Sequence, residues 1–421
     1  MFDQDSKAVS QSSASSARNV LFLQGPITPF FRDIANQLEQ QGCSCFRINL
    51  CFGDWLFWRG RASTQYRDSQ SNWPEFIKCY LVDNNITDLI LLGEQRYYHK
   101  VAIKLAREQS IQVITTDFGY LRPDWITFER NGMSANSEFP NNAQEIMQMA
   151  DGLAAPDLQQ RYSDSFVRQV YWDVQYHLLS TLLRIFYFGY RSHQIHHPIF
   201  VYLGTGLRLL KLKFFATRKA NQFIDHLLDS AQPYMVFPLQ MQNDFQIRAY
   251  SKYDNLEQAI EEVIASFAAN APAAMNLVIK VHPLDPGMIS WRRICSAAAQ
   301  NHGVESRVHY IEGGCLDNLL ESCQGVVTIN STVGVWSLRQ SKPLYVLGEA
   351  VFKVAGLVHQ GALDDFWSAP QPPKPALLEA FMRAIAATIH IRGVYYSQPG
   401  LANAVNEAVH RLLENKINQR L

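Results

Sequence analysis

Two doubly wound α/β domains follow from three features of this 421-residue sequence. The chain is long enough for two cores of ordinary size. Runs of strand length alternate with helical patterns in two separate stretches, the mark of parallel sheets with helical crossovers. Those runs are apolar on both faces, as strands in the middle of a covered sheet must be.

Residues 1–18 place acids and serines where a secretory leader would need an apolar core, and read as a disordered lead-in to a cytoplasmic protein. The first domain, 19–156, opens on the strand "NVLFL", followed by the helical "FFRDIANQLEQQG" and the strand "CSCFRINL". "TDLILLG", "HKVAIKLAREQS" and "IQVITTD" repeat the strand, helix, strand order. A connecting segment, 157–229, reads helical and is rich in aromatic residues and histidine. Within it "HLLSTLLRIFYFGY" is shorter than the ~20 apolar residues a bilayer span requires, and Arg184 interrupts it. It reads as a buried inter-domain helix. The alternative is a peripheral membrane contact, because its rings lie near Arg184, Arg191, Lys211 and Lys213.

The second domain, 230–375, alternates again: "YMVFPLQ", a helix near 256–269, "NLVIKVH", a helix near 291–301, "VHYIEG", "LDNLLESC", "GVVTIN", "VGVWSLRQ" and "PLYVLG". The proline cluster "SAPQPPKP" ends it, and 376–421 reads as C-terminal helices. Two such sheets facing across a cleft make a GT-B-like architecture, in which ligands bind beyond the carboxyl ends of the strands.

Lysine plus arginine equals aspartate plus glutamate at 38 each, so no global field draws the chain to nucleic acid, and any anion site must be local. The seven cysteines are odd in number with no CxxC pair, which fits a reducing compartment better than a disulfide framework or zinc.

The strand ends carry the chemistry. "NLVIKVHPLDPG" ends a strand on His282, and Pro283 stops further pairing, leaving an imidazole that can donate to a phosphate oxygen or simply satisfy a turn. "GVVTINSTVGVWSL" runs through Asn330, Ser331, Thr332 and Gly334 into a helix, where Ser331 or Thr332 serves as an ordinary cap or opens a phosphate site. In "FPLQMQNDFQI", Gln240, Gln242, Asp244 and Gln246 alternate, which on a strand would put one polar face into a wet space. Asp117, with Arg122 nearby, fits a nucleophile, a base or half of an ion pair. Glu94 and Glu129 are further carboxylates near strand ends, and Asp54 follows another strand. In "QGPITPFF", Gly25 would let the backbone approach a ligand while Pro26 and Pro29 stiffen the loop. On that reading Gly25→Val reduces turnover and leaves the fold intact. No DxD segment ends a strand, and Asp364 and Asp365 read as helix-flanking, so no metal site or cofactor is expected.

Six segments in order, "FLQGPITPFF", "FGDWLFWRG", "DFGYLRPDWITFE", "PLQMQNDFQI", "KVHPLDPG" and "NSTVGVWSL", resemble the capsular polysaccharide β-Kdo transferases of the KpsS type. The resemblance implies a cytoplasmic enzyme, peripheral at the inner membrane, that takes Kdo (3-deoxy-D-manno-octulosonic acid) from CMP-β-Kdo with retention. The implied acceptor is a lysophosphatidylglycerol-type lipid on which a poly-Kdo linker begins, and other capsule assembly proteins are implied partners. Carried over by position, His282, Ser331 and Thr332 would hold the CMP phosphate and nearby cytidine groups, with Pro283, Asn330 and Gly334 beside them. Gln240, Gln242 and Asp244 would line the donor side, while Gly25, Pro26, Asp54, Arg122 and the stretch at Asp117 would form the opposing, acceptor-side wall. Where the resemblance implies an acidic pair before "GYLRP", this chain has Asp117 and Phe118, which leaves Asp117, Glu94 and Glu129 as candidate carboxylates. Two other functions stay open: a non-catalytic capsule assembly or export factor, and a GT-B transferase using another nucleotide sugar.

Overall fold

The computed structural model describes residues 18–192, 198–242 and 244–419; nearly all of the expected disordered lead-in lies outside them. Six strands fall in the first third of the chain: β1 (Asn19–Phe22), β2 (Ser44–Asn49), β3 (Thr64–Gln65), β4 (Asp88–Leu92), β5 (Gln112–Phe118) and β6 (Trp125–Arg130). The second domain supplies β7 (Tyr234–Pro238), β8 (Asn276–Lys280), β9 (Val308–Ile311), β10 (Gly325–Thr328) and β11 (Leu344–Val346), and β12 (His390–Arg392) follows. They form a seven-stranded sheet in the order β12-β6-β5-β4-β1-β2-β3 and a five-stranded sheet in the order β11-β10-β7-β8-β9. The fold is thus α/β with two Rossmann-like sheets, as the alternating patterns predict.

In the first sheet β3, β2, β1, β4 and β5 are parallel, while β6 and β12 join antiparallel. The turn from β5 into β6 requires Gly119, whose amide donates to Trp125 O at 2.8 Å; a Cβ there would lie 2.6 Å from the Trp125 backbone. The carboxyl end of β5, with Asp117, therefore sits beside a sharp reversal.

The helix Phe30–Gln40 shows how core patterning builds the domain. Phe30, Phe31, Ile34, Ala35 and Leu38 recur at helical spacing, and all are buried. Full burial of each large side chain stabilises by about 1.5–3 kcal/mol. Their cluster includes Leu401, Ala404 and Val405 of the C-terminal helix Gly400–Leu413. The chain thus leaves the second domain through the helix Pro375–Thr388, adds β12 to the first sheet and finishes in the first domain's core.

That return also fastens the β5 end. Buried His390 accepts the Tyr120 amide through Nε2 at 2.8 Å, and its Nδ1 faces Ile385 O at 3.0 Å. Burial pushes its pKa down to about 3, so it is a neutral strut. Thr116 Oγ1 and Tyr395 OH are 2.8 Å apart, and Phe118 packs edge-on to Tyr395.

The second sheet is wholly parallel, so β7, β8 and β10 all end at one edge. Direct contacts fix the domains against each other there: Ser134 Oγ donates to Gln246 Oε1 at 2.6 Å and Gln95 Nε2 to Tyr250 OH at 2.7 Å.

The connecting segment corrects one expectation. Its helix Phe166–Leu182 buries no side chain completely, and Leu182, Ile185, Phe186 and Phe188 are more than half exposed, so "HLLSTLLRIFYFGY" is not a buried inter-domain helix. Tyr176 and Ser180 on its inner side bond to the short helix Phe52–Leu56 after β2, which leaves the outer side uncovered. Among the described residues no helix is long and apolar enough to cross a membrane.

Candidate active site

The site is built at the carboxyl ends of β7, β8 and β10. Neighbouring strands lie about 4.8 Å apart, so the ends of β8 and β10, which flank β7, are separated by about 10 Å. His282 leaves the end of β8 half-buried, and its Nδ1 accepts the Leu284 amide at 3.1 Å. The ring proton is thereby placed on Nε2, which is left as a donor. Burial first, and then the Arg122 charge, pushes its pKa down to about 4, so it donates as a neutral group.

At the end of β10, Asn330 is clamped to Gln240: Gln240 Nε2 donates to Asn330 Oδ1 at 2.9 Å, and the Asn330 amide donates to Gln240 Oε1 at 3.2 Å. Asn330 Nδ2 donates in turn to Gln246 O at 2.8 Å. Ser331 Oγ accepts the Val333 amide at 3.2 Å, so Ser331 rather than Thr332 caps the helix Val333–Arg339; the Thr332 side chain makes no capping bond. Ser331 and Thr332 stay partly exposed at the strand end.

Facing this edge is Asp117 at the end of β5. Its Oδ1 accepts the Phe118 amide at 2.7 Å. Burial raises its pKa above the usual carboxylate range, Arg122 opposes that shift, and Asp244 of the second domain adds to it. Arg122 is felt at Asp117, Asp244 and His282 alike, and its guanidinium lies over the Phe118 ring at 5.1 Å. The Asp117 carboxylate and the His282 imidazole thus both lie within electrostatic reach of the Arg122 guanidinium.

Several expected site residues do other work. The segment after β7 is not a strand: β7 stops at Pro238, and Phe245–Tyr250 is helical. The alternation of Gln240, Gln242 and Asp244 therefore does not describe one face. Gln242 Oε1 accepts the Leu256 amide at 3.1 Å, while Asp244 caps its helix by accepting the Gln246 amide at 2.9 Å. Gly334 is buried because a Cβ would lie 2.7 Å from the Phe352 ring. Pro283 is exposed.

In the first domain, a Cβ on Gly25 would collide with the Phe31 ring. Gly25 therefore serves internal packing, and the expectation that Gly25→Val spares the fold is corrected. Gly25, Pro26 and Asp54 line one small recess with Arg47 and Tyr176, but Arg122 belongs to the cleft instead. Asp54 is saturated, accepting from Leu50 N at 2.9 Å, Cys51 N at 3.2 Å, Tyr176 OH at 2.9 Å and Gln24 Nε2 at 3.1 Å. Glu129 is fully enclosed, accepts from Tyr120 OH and Ser137 Oγ, and is raised by burial to about 8. Glu94 is buried and accepts Asn136 Nδ2 at 3.0 Å. Both acids hold the 131–137 loop, so neither is presented as a nucleophile.

Sequence reasoning missed Arg208 and Asp285. Asp285, inside "HPLDPG", is held by Arg208 Nη1 at 2.5 Å, the Gly287 amide at 2.8 Å and Trp291 Nε1 at 2.9 Å. The available signal was a lone basic residue in the apolar "GLRLL". Lys280, the charged last residue of apolar β8, is likewise buried beside this loop. No group of three or more potential metal ligands occurs among the described residues.

The family model for capsule polysaccharide biosynthesis proteins matches residues 87–396. The Escherichia coli capsule polysaccharide export protein KpsS is 30% identical over 382 residues, which cover 90% of this chain and 97% of that protein. The capsule polysaccharide modification protein LipB of Neisseria meningitidis serogroup A is 30% identical over 405 residues, 92% of this chain and 94% of LipB. Among solved structures, the Thermosulfurimonas dismutans KpsC beta Kdo 2,7 transferase aligns with 95% of this chain and all of its own at 12% identity and a TM-score of 0.45. With three quarters of its length inside the family model and relatives matched nearly end to end, this chain belongs to the capsule polysaccharide biosynthesis protein family.

Proposed function

We propose that this protein is a capsule glycosyltransferase that moves Kdo from CMP-β-Kdo, with retention, to a lysophosphatidylglycerol-type lipid, at the start of a poly-Kdo linker. The observation that carries the reading is the placement of the His282 Nε2 donor and the Ser331 turn at one sheet edge, opposite Asp117 and Arg122. Family membership supports the pathway, and the six ordered segments support the donor.

In the proposed reaction the bond between the anomeric carbon and the phosphate oxygen breaks, and CMP leaves with the electron pair. His282 donates a hydrogen bond to the departing phosphate, and the Ser331 turn faces its other side. Oxocarbenium charge grows at the anomeric carbon, where Asp117 stabilises it or attacks it. The acceptor hydroxyl then forms the new glycosidic bond, displacing Asp117 where it has attacked, and its proton passes to an oxygen of the departing phosphate. A CMP-activated sugar carries one phosphate, whose charge Arg122 offsets while the neutral His282 ring donates to it, without a metal in the step. Transfer is therefore expected to survive a chelator.

Work at the inner membrane face follows from the lipid acceptor, and the uncovered apolar side of the connecting segment supports it. A second reading, a non-catalytic capsule assembly factor, draws on Phe118, an aromatic packed against Tyr395 where the resemblance implies an acid. Incubation with CMP-β-Kdo and a lysophosphatidylglycerol analogue separates the two. Product from wild type but from neither His282→Ala nor Asp117→Ala is expected; no product and no donor hydrolysis from wild type favours the second reading.

A further inference from the structure

The helix Pro198–Lys211 and the π turn Leu212–Ala216 after it carry two opposed faces. Leu207, Leu210, Phe214 and Phe215 are each more than half exposed, an arrangement that monomeric soluble surfaces rarely keep. From Phe166 to Lys219 the sequence has eight lysines and arginines against one acid, Asp173, in a chain whose formal net charge is +0; Arg208 is buried against Asp285 and Lys211 pairs with Glu312, and the other six are exposed. Exposed rings among cations complement an anionic lipid headgroup layer, which attracts basic residues held near it.

The other face of the same helix rests on the loop that follows His282. Gly204 and Arg208, four residues apart and so on one side, both meet it. A Cβ on Gly204 would lie 2.5 Å from Pro286 O. Buried Arg208 donates through Nη1 to Asp285 Oδ1 at 2.5 Å and to Asp285 O at 3.0 Å. Asp285 closes the turn, its amide donating to His282 O at 3.1 Å. The path from the exposed rings to His282 is therefore one helix, one buried ion pair and one turn.

We propose that Arg208 is a positioning residue that couples docking of this apolar, basic face on anionic lipid to the His282 loop, so that the lipid surface tightens the grip on the donor phosphate. The proposal rests on the donor reading given above. Inserting Phe214 and Phe215 among headgroups fixes a helix otherwise solvated on one side. A fixed helix holds Asp285, and with it His282, in the binding geometry. By linkage the donor phosphate must strengthen lipid docking by the same factor.

The test measures CMP affinity of the full chain by calorimetry, with and without vesicles of phosphatidylglycerol and phosphatidylcholine, alongside vesicle sedimentation. Wild type is expected to bind CMP about five-fold or more tightly on anionic vesicles, and not on pure phosphatidylcholine. Arg208→Gln, checked for folding by its thermal transition, should still sediment with vesicles but lose the enhancement; Arg208→Lys should recover part of it. The surface variant Phe214→Ser with Phe215→Ser, which disturbs no core contact, should lose both sedimentation and enhancement. Wild type that binds CMP and vesicles with no change in affinity overturns the coupling alone, as does an Arg208→Gln protein that keeps the enhancement. Wild type that fails to bind CMP at all overturns the donor reading, and the coupling with it.

Discussion

The carboxyl edges of the two sheets are built from similar polar residues, yet they end in opposite states. At the first sheet Asp54 is filled by two backbone amides, a tyrosine and a glutamine, and Glu94 accepts from Asn136. At the second, Gln240 and Asn330 satisfy each other and the His282 ring spends only Nδ1 on the fold. The first edge consumes its polarity in holding loops and leaves Asp117 and Arg122 toward the cleft. The second leaves the His282 Nε2 donor unspent. A strand-end location is thus not enough to make a site; what matters is which atoms remain after the backbone has been satisfied.

Three substitutions would break or sharpen this contrast. The largest effect is expected for Asp117→Asn, which keeps the Phe118 amide's acceptor and removes the charge; transfer should fall about 10²- to 10³-fold with little change in CMP affinity. An equal loss of CMP binding would move Asp117 to the donor side. Next, Gly25→Val should destabilise the first domain by about 1–3 kcal/mol through overpacking against Phe31, seen as a lowered thermal midpoint. An unchanged midpoint with lost transfer would restore a ligand-approach role for Gly25.

The smallest effect concerns Glu129, whose folded pKa of about 8 lies above its ordinary 4.5. A raised acid pKa means the folded state favours the neutral form, so this group's contribution is fully present below pH 4.5 and is lost as pH rises through about 8. Glu129→Gln should remove that part of the stability slope and leave transfer near wild type. Transfer abolished by this substitution, with the fold intact, would give the buried acid a catalytic role.

Most of the architecture was legible, because β1, β4, β7, β8 and β10 are largely apolar runs separated by helices of clear period. β6 and β12 were missed for a physical reason. β12 has only three residues, and the antiparallel partnership of the two joins residues such as Ile126 and Ile391 that no local pattern links. The site was legible where one residue type constrains geometry strongly, as Pro283 does after His282. It was misread where a period-2 pattern stood in for structure: Gln242 and Asp244 alternate but cap two different helices. The apolar run at Leu182–Phe188 was read as core because hydrophobicity does not state which partner covers it. The Arg208–Asp285 pair joins positions 77 apart and left only a lone arginine as its trace.

The most direct measurement follows the His282 imidazole by ¹⁵N and ¹H NMR as CMP is added, identified by its absence in His282→Gln. In the free protein the ring should titrate near 4, neutral with its proton on Nε2. A phosphate bound against Nε2 should shift that nitrogen's resonance and raise the imidazole pKa, so CMP affinity should increase as pH falls from 7 toward 5. If CMP binds while the His282 resonances and titration stay where they were, the phosphate lies elsewhere and the account is contradicted.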